Sequence, residues 1–329
     1  MAALWTAAAQ APLVGDINFY GLHKITPERV LNAAKLKSGS PLPPSKGAIE
    51  DTIAEIPGVL LARVEAVCCD GQEAILFVGV EEKGAPHAAF RSAPAGEATL
   101  PREWMDAYQQ FLTAVQRAAS LGNAVEDLSA GHSMMADPEA RAYQEEFVTY
   151  AREHVDLLRN VLRTASEPDQ RAAAAAVIGY APNKPAVVND LQYALQDPDE
   201  AVRANAIRSL TAFAVLASKK PALGIKISPT WFVEMLHSIV LSDRVESAKA
   251  LLTLTDKGGT DVLQQIRERA LPSLAEMARW KTPRYALPSF LLLGRVAGIP
   301  DQQAQESWRK GEREPVIEKA LSVPAKRRG

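Results

Sequence analysis

Cysteine is scarce in this chain of 329 residues, where Cys68 and Cys69 are the only two. A disulfide between adjacent residues needs strained geometry. In a β-strand their side chains would point to opposite faces, so we expect one buried thiol and one at the surface. The sequence therefore argues against a disulfide and leaves the redox compartment open.

The chain also lacks the short motifs that accompany common enzyme reactions. It has no HExxH zinc motif, no GxSxG nucleophile motif, no GxGxxG dinucleotide motif and no P-loop lysine. Its histidines occur singly, at His23, His87, His132, His154 and His237. The His-Ser-Met-Met run at 132–135 contains ligand types that suit copper, but a hydrophobic contact explains it more simply. The sequence predicts no catalytic residue, no metal and no cofactor.

Aromatic residues are few, at 6% of the chain against 47% for all hydrophobic residues. With long runs of alanine and leucine, this composition favours packed helices over a β-sandwich. A chain of this length can bury a sizeable core and form two or more domains. It has no run of 18 apolar residues, so the sequence predicts no transmembrane helix.

Charge is divided unevenly along the chain, although the net charge is only −2. Residues 1–150 hold 11 Lys and Arg against 19 Asp and Glu, and residues 151–329 hold 26 against 20, so the halves carry −8 and +6. This asymmetry indicates two modules, although solvated surfaces that simply differ would also produce it. Basic residues are interspersed with acids except at 326–328, which argues against a nucleic-acid partner.

A repeated pattern lies within residues 158–216. The block around Pro168 is echoed around Pro198, 198 − 168 = 30 residues later, and a helical pattern follows each. Asp199 is a suitable N-cap for the second helix, whose apolar face is formed by Val202, Ala206, Leu210 and Phe213. A single helix pair cannot bury its own apolar face, so such pairs must stack. Residues 199–210, with Asp-x-x-x-Arg and the small and aliphatic positions after it, resemble a HEAT repeat, which implies an all-α solenoid.

The repeats continue less regularly after residue 216. We expect one helix from Ser228 and its partner from Asp243, which would be the counterpart of Asp199. Glu246 then stands near the position of Arg203, which leaves the register open. Two further helices are predicted, at about 261–280 and 284–296.

Residues 14–84 predict a different fold, in the order strand, helix, helix, strand, strand. Thr26 and Ser45 are suited to begin the two helices. Asp70-Gly71 predicts a hairpin, and the apolar run 75–80 predicts a central strand that is covered by helices. We expect four buried side chains in this unit, Ile49, Ile53, Phe77 and Val80.

This unit resembles a POTRA domain. The resemblance rests on the element order and on four short motifs, Phe19-Tyr20-Gly21, Gly39-Ser40-Pro41-Leu42, Ile56-Pro57-Gly58-Val59 and Val80-Glu81-Glu82. It implies a place in the bacterial cell envelope and binding to other polypeptides through a sheet edge. The β-barrel that usually follows several such domains is missing, so the membrane-insertion role of that family is not carried over.

The sequence predicts an α+β unit followed by a mainly helical remainder. The expected parts are a possible leader remnant at 1–11, the POTRA-like unit at 12–84, a linker at 85–100, a helical adaptor at 101–150, HEAT-like repeats at 151–310 and a basic tail at 311–329. Ala9-Gln10-Ala11 fits the pattern before a signal-peptidase site. This predicts export to the periplasm, and an ordinary N-terminus in the cytoplasm is the alternative.

Asn205 and Arg208 are the only site candidates. They should lie off the apolar face of their helix, and the HEAT resemblance implies that such positions line the concave surface and contact a partner. Trp231-Phe232 and Trp280 could form an aromatic shelf, but residues at helical spacing are more simply core residues.

Two resemblances without a catalytic set indicate a non-enzymatic interaction protein of the bacterial envelope. It would bind other polypeptides through a sheet edge and a solenoid surface. One alternative is a HEAT-like enzyme that resembles bilin lyases or base-excision glycosylases, and it would need a deep pocket or a basic concave face. The other is a structural spacer. The sequence does not indicate an oligomeric state.

Overall fold

The computed structural model of the protein describes residues 12–70 and 73–324, without the side chains of residues 68–70. The chain is mainly helical, at 57%, with a small sheet region near its N-terminal end. The strands are β1 Leu13–Tyr20, β2 Val59–Asp70, β3 Glu73–Glu82, β4 Glu126–Asp127 and β5 Met134–Met135.

The helices follow in chain order. They are α1 Pro27–Ala34, α2 Lys46–Ala54, α3 Arg102–Ser120, α4 Pro138–Glu153, α5 Val155–Thr164, α6 Pro168–Ile178, α7 Lys184–Ala194, α8 Glu200–Lys219, α9 Thr230–Met235, α10 Leu241–Leu254, α11 Thr260–Arg269, α12 Leu271–Ala278, α13 Pro283–Val296, α14 Asp301–Lys310 and α15 Glu314–Leu321. A short 3₁₀ helix lies at Pro221–Leu223.

The predicted order strand, helix, helix, strand, strand is confirmed. The sheet has the order β1-β3-β2, with β1 parallel and β2 antiparallel to the central β3. The side chains of Thr26 and Ser45 accept hydrogen bonds from the first turns of α1 and α2, as their N-cap positions predict. The four side chains expected to be buried are buried, Ile49, Ile53, Phe77 and Val80.

The hairpin between β2 and β3 is present, with Asp70 paired to Glu73. Residues 71 and 72 connect the strands and lie outside the described residues. Cys68 and Cys69 belong to β2, but their side chains, and the prediction about their burial, also lie outside that part. The same holds for the Ala9-Gln10-Ala11 pattern.

The second face of the sheet packs on the solenoid. Ile53 and its neighbours form one cluster between the sheet and its helices, whereas Tyr20 and Phe77 join the cluster of the solenoid. The ring of Trp280, just after α12, lies 5.1 Å from Phe77 and 5.9 Å from Tyr20, both edge to face. Gly79 of β3 leaves room for Tyr20, because a Cβ at Gly79 would lie 2.5 Å from that ring. A different unit therefore covers each face of β3, which explains why the run 75–80 is apolar on both faces.

The repeat helices stack in sequence, α6 against α8, α8 against α10 and α10 against α13. The predicted N-cap Asp199 accepts from the amides of Ala201 and Val202, at 2.9 and 3.1 Å. The apolar face of α8 is buried as expected, at Val202, Ala206, Leu210 and Phe213.

Three buried arginines set the register of the repeats. Each donates to the carbonyl oxygen six residues earlier and to an acid further along the chain, and the pairs are Arg171 with Asp197, Arg203 with Asp243, and Arg244 with Glu276. Their spacings are 203 − 171 = 32 and 244 − 203 = 41. The expected 30-residue offset is therefore wrong. Arg244, not Glu246, is the counterpart of Arg203, and Asp243 is its buried ion-pair partner rather than a counterpart of Asp199.

Two further predictions about helices are corrected. The helix expected at about 261–280 is divided at Ala270. Pro272 lies in the first turn of α12, where its missing N–H is tolerated. In the interior of one continuous helix the same proline would remove a backbone hydrogen bond, so the helix breaks before it. Residues 311–329, expected to be a tail, contain α15, which buries Val316 and Ile317 against the solenoid.

The 85–100 segment contains no helix but is held against the repeats. Arg91 reaches the carboxylate of Asp197 at 2.6 Å, and Phe90 lies 3.8 Å from the guanidinium of Arg203. Gly96 donates to the carbonyl of Thr164 at 2.7 Å. This connection therefore packs along the edge of the solenoid where the arginines lie.

Candidate functional site

A groove of about 540 Å³ lies where the sheet meets the solenoid. Its lining comes from β1 at 17–19, from the loop and start of α1 at 22–27, and from Glu276 and residues 279–281 after α12. The floor is thus one edge of the sheet, with an α1 side and a solenoid side. The groove exists only because the two units are docked.

The edge of β1 is partly covered at its beginning. Val14 donates to the carbonyl of Ser40 at 2.8 Å and accepts from the amide of Gly39 at 2.7 Å. The pairing of β1 with β3 then shifts by one residue between Val14 and Ile17, which is a β-bulge. Trp280 donates its indole N–H to the carbonyl of Phe19 at 3.0 Å, which closes the far end.

The stretch between these two points has outward-facing backbone groups. The carbonyl of Phe19 points away from β3, because Trp280 reaches it. By the two-residue alternation of a strand, the amide of Phe19 and both backbone groups of Ile17 point the same way. None of these three groups has a partner among the edge contacts of the described residues. An edge of this kind can accept an added strand.

Asn18 lies on this stretch and faces the solenoid. It is only 5% exposed, and its Oδ1 accepts from the backbone amide of Lys281 at 3.0 Å. This bond orients the carboxamide, and its Nδ2 has no acceptor among the described residues. Leaving such a buried donor unpaired costs about 1–3 kcal/mol.

Glu276 joins the two units at the end of the groove. Its carboxylate oxygens accept from the amide of Gly21 at 2.9 and 3.0 Å, and the guanidinium of Arg244 lies at 3.3 Å. Burial raises the pKa of Glu276, and Arg244 and the Gly21 amide oppose that shift. Gly21 has a φ of 78°, a conformation that favours glycine and turns the chain towards this carboxylate.

The other charges of the groove are mainly basic. Lys281 lies 2.7 Å from Asp16 and Arg279 lies 2.9 Å from Glu314, and the four side chains are between 42% and 67% exposed. Lys24 is exposed and has no salt bridge among the described residues. Exposed pairs of this kind contribute little to stability, so an anionic ligand would compete with Asp16 and Glu314 for these two cations.

The two residues predicted from the sequence lie elsewhere, on α8. Asn205 donates to the hydroxyl of Tyr108 at 2.7 Å and to the carbonyl of Ala172 at 2.9 Å. It is partly buried and ties α8 to α3 and α6. Arg208 is exposed but lies 3.2 Å from Glu126 of β4. Residues from the 101–150 region therefore contact both candidates.

Asn205 and Arg208 line the same small cavity, together with His132 and Tyr180. Its volume of about 20 Å³ is room for roughly one water. Nearby, Lys184 Nζ lies 3.3 Å from His132 Nδ1 and donates to the carbonyl of Gly179 at 2.8 Å. Burial lowers the pKa of Lys184 to about 7 and that of His132, beside Lys184, to about 4. This cavity is too small for a substrate.

The other sequence candidates have structural roles. Phe232 is fully buried and Trp280 is 3% exposed, which favours the core interpretation over an open aromatic shelf. Met135 of the His-Ser-Met-Met run is buried. Within residues 12–70 and 73–324, no group of three or more His, Cys, Asp or Glu side chains is placed to hold a metal ion.

The family comparison matches the helical part of the chain. Residues 155–223 match the family model of HEAT repeats. This match supports the helical-repeat part of the prediction made from residues 199–210. A search of the curated proteins found no match. In the described part of the chain, no helix has the length and apolar character that a membrane crossing requires.

Among solved structures, this chain is similar to a designed armadillo repeat protein, YIII(Dq)4CqI. The identity is 17% and the TM-score 0.36, over 60% of this chain and 92% of the designed one. A likeness at this level supports no argument about function. The POTRA resemblance of residues 12–84 stays a prediction.

The sequence did not predict the groove. Its floor was assigned to a strand, but residues near 18 and near 280 are about 260 positions apart, and no local pattern links them. Asn18 gave no signal either, because it alternates with Ile17 and Phe19 as a residue on the polar face of a strand does.

Proposed function

We propose that this protein is a non-enzymatic scaffold that binds another polypeptide as an added strand on the β1 edge. HEAT repeats generally mediate protein–protein interactions. The observation that carries the proposal is the stretch at Ile17 to Phe19, with outward backbone groups at the floor of an open groove. Strand addition takes its affinity from backbone hydrogen bonds, and the groove supplies them without a catalytic constellation.

The edge of β2 is the less suitable of the two. Its Val64 amide already donates to the Glu50 carboxylate at 2.7 Å, and Arg63 is paired with Glu200 of α8 at 2.6 Å. Charged side chains along an edge discourage strand pairing. The proposal therefore places the partner on β1.

A POTRA-like identity for residues 12–84, and a place in the bacterial envelope, belong to the same proposal. They are supported by the element order β-α-α-β-β and by the sequence motifs that carry the resemblance. Export to the periplasm is proposed on Ala9-Gln10-Ala11, with the cytoplasm as the alternative. Fractionation of native cells would overturn export if all of the protein stayed in the cytosol with Met1 intact.

A second contact surface on the solenoid is proposed at Arg208, whose side chain is 46% exposed. Asn205 would support this surface by holding α3 in place. An enzyme of the lyase or glycosylase kind is the alternative function, and the one-water cavity beside these residues favours binding over catalysis. A purely structural spacer would leave the β1 groove without a ligand.

The test compares two proline variants of the full chain. Ile17→Pro removes an outward N–H of β1 without removing a bond to β3, and Ala66→Pro is the matched change on the β2 edge, two residues from Val64. The probe is a set of synthetic eight-residue peptides of high β propensity, followed by fluorescence polarisation. One lost backbone bond, at about 1 kcal/mol, should weaken binding about fivefold.

Melting temperatures of both variants provide the control for folding. Weaker binding by Ile17→Pro, with Ala66→Pro unchanged, supports the proposal. Unchanged binding by Ile17→Pro, or weakening confined to Ala66→Pro, would refute the assignment of β1.

A further inference from the structure

We infer that the groove selects a short extended segment in which acidic and apolar side chains alternate, the acidic ones facing the solenoid. This inference rests on the proposed function, strand addition to β1, and adds the chemical class of the partner. It follows from the length of the open edge, the different chemistry of the two sides, and the charge around Asn18.

The length follows from the two contacts that limit the edge. Gly39 and Ser40 occupy the backbone groups of Val14, and Trp280 occupies the carbonyl of Phe19. Residues 15–19 remain between them, which is about 17 Å at roughly 3.4 Å per residue. A partner strand of three to five residues fills this stretch. The 39–42 segment makes an isolated antiparallel bridge to Leu13, so antiparallel pairing is compatible with this edge.

The alternation follows from the two sides of β1. Ile17 and Phe19 face the α1 side, where with Leu22 they are partly buried and present apolar surface. Asn18 faces the solenoid side, beside Arg279 and Lys281. An added strand continues the pleat of its neighbour, so its side chains alternate between the same two sides. One set meets apolar surface and the other meets donors and cations.

The acidic preference follows from the charge on the solenoid side. The Nδ2 of Asn18 is a donor for which the described part of the chain offers no acceptor, and Arg279 and Lys281 carry positive charge in exposed pairs that a ligand can displace. Glu276 is already engaged by Gly21 and Arg244. A carboxylate from the partner therefore finds donors and cations on this side, whereas a lysine finds like charge.

The test uses the full chain and four eight-residue peptides. In three of these peptides valine alternates with glutamate, with lysine or with serine. The fourth is the glutamate peptide with every second backbone nitrogen methylated. Fluorescence polarisation should give a dissociation constant at least tenfold lower for the glutamate peptide than for the lysine peptide, with the preference shrinking as salt rises. The methylated peptide should bind at least tenfold more weakly than its parent.

Two charge reversals locate the effect. Lys281→Glu should weaken binding of the glutamate peptide about fivefold and strengthen binding of the lysine peptide, because it reverses the charge of one cation in the groove. Lys226→Glu is the matched control, since Lys226 is exposed in the loop before α9. It should leave the binding of both peptides unchanged. Melting curves check that both variants fold.

The outcomes separate the inference from the proposed function. Equal binding of the glutamate, lysine and serine peptides, with loss on methylation, overturns the acidic selection and leaves strand addition standing. Equal effects of Lys281→Glu and Lys226→Glu also overturn it. If the methylated peptide binds as well as its parent, or if none of the peptides binds, strand addition to β1 is itself overturned.

Discussion

Phe77 should be one of the residues on which the docking of the sheet on the solenoid most depends. It is fully buried, and its ring meets Trp280 at 5.1 Å and Tyr285 at 5.3 Å, both edge to face. Truncating a buried phenylalanine to alanine costs about 3–5 kcal/mol, of which each aromatic pair accounts for about 0.5–1.5 kcal/mol. We expect Phe77→Ala to lower the free energy of unfolding by that amount and to loosen the contact between the two units.

Ile53→Ala is the matched control, because Ile53 is also fully buried but packs between the sheet and its own helices. It should cost a similar 2–5 kcal/mol. Urea unfolding measures both losses, and hydrogen exchange measures where protection falls. Phe77→Ala should lower protection in α12 as well as in the sheet, whereas Ile53→Ala should lower it in the sheet alone. A loss below about 1 kcal/mol for Phe77→Ala, or unchanged exchange in α12, would refute this reasoning.

Three further outcomes are expected. Ala206→Glu should be severely destabilising, because Ala206 is fully buried in α8 and the site accepts neither the volume nor an unpaired charge; an unchanged melting temperature would contradict the packing of α8. Burial lowers the pKa of Lys184 to about 7, so between about pH 7 and 10.5 the unfolded state binds more protons and stability should rise with pH. In that window the parent should gain up to about 1.4 kcal/mol per pH unit over Lys184→Met in denaturant titrations, and parallel profiles would contradict the shift. Asn205→Ala should cost about 1–3 kcal/mol through its two hydrogen bonds, whereas Arg208→Ala should stay within about 0.5 kcal/mol; equal melting temperatures for the two variants would contradict the tie between α8 and α3.

Much of the local structure was predictable because its causes lie within a few residues. Thr26, Ser45 and Asp199 accept hydrogen bonds from amides two or three positions ahead, so the N-cap signal and the structure refer to the same atoms. The apolar spacing of α8 and the hairpin between β2 and β3 are local in the same sense.

The prediction of the repeat register was wrong for a physical reason. Proline and N-cap patterns mark where a helix begins, but the equivalence between repeats is set by Arg171, Arg203 and Arg244, whose acids lie 26 to 40 residues further along the chain. An arginine in a sequence does not indicate whether it will be solvated or buried against an acid of the next repeat. The same limit applies to the 85–100 segment, whose composition predicts the absence of helix but not its packing on the solenoid.

The sequence by itself determined the class of each unit, a small α+β sheet unit and a set of stacked helical repeats, because periodicity and caps act over short distances. Only the tertiary structure decided that the sheet lies on the end of α12 and that Asn205 is tied to α3. Trp280 meets Phe19 across 261 positions of the chain, and burial of aromatic rings lowers the free energy only when both surfaces come together. The groove between them is a property of that meeting, so no single stretch of the sequence contains it.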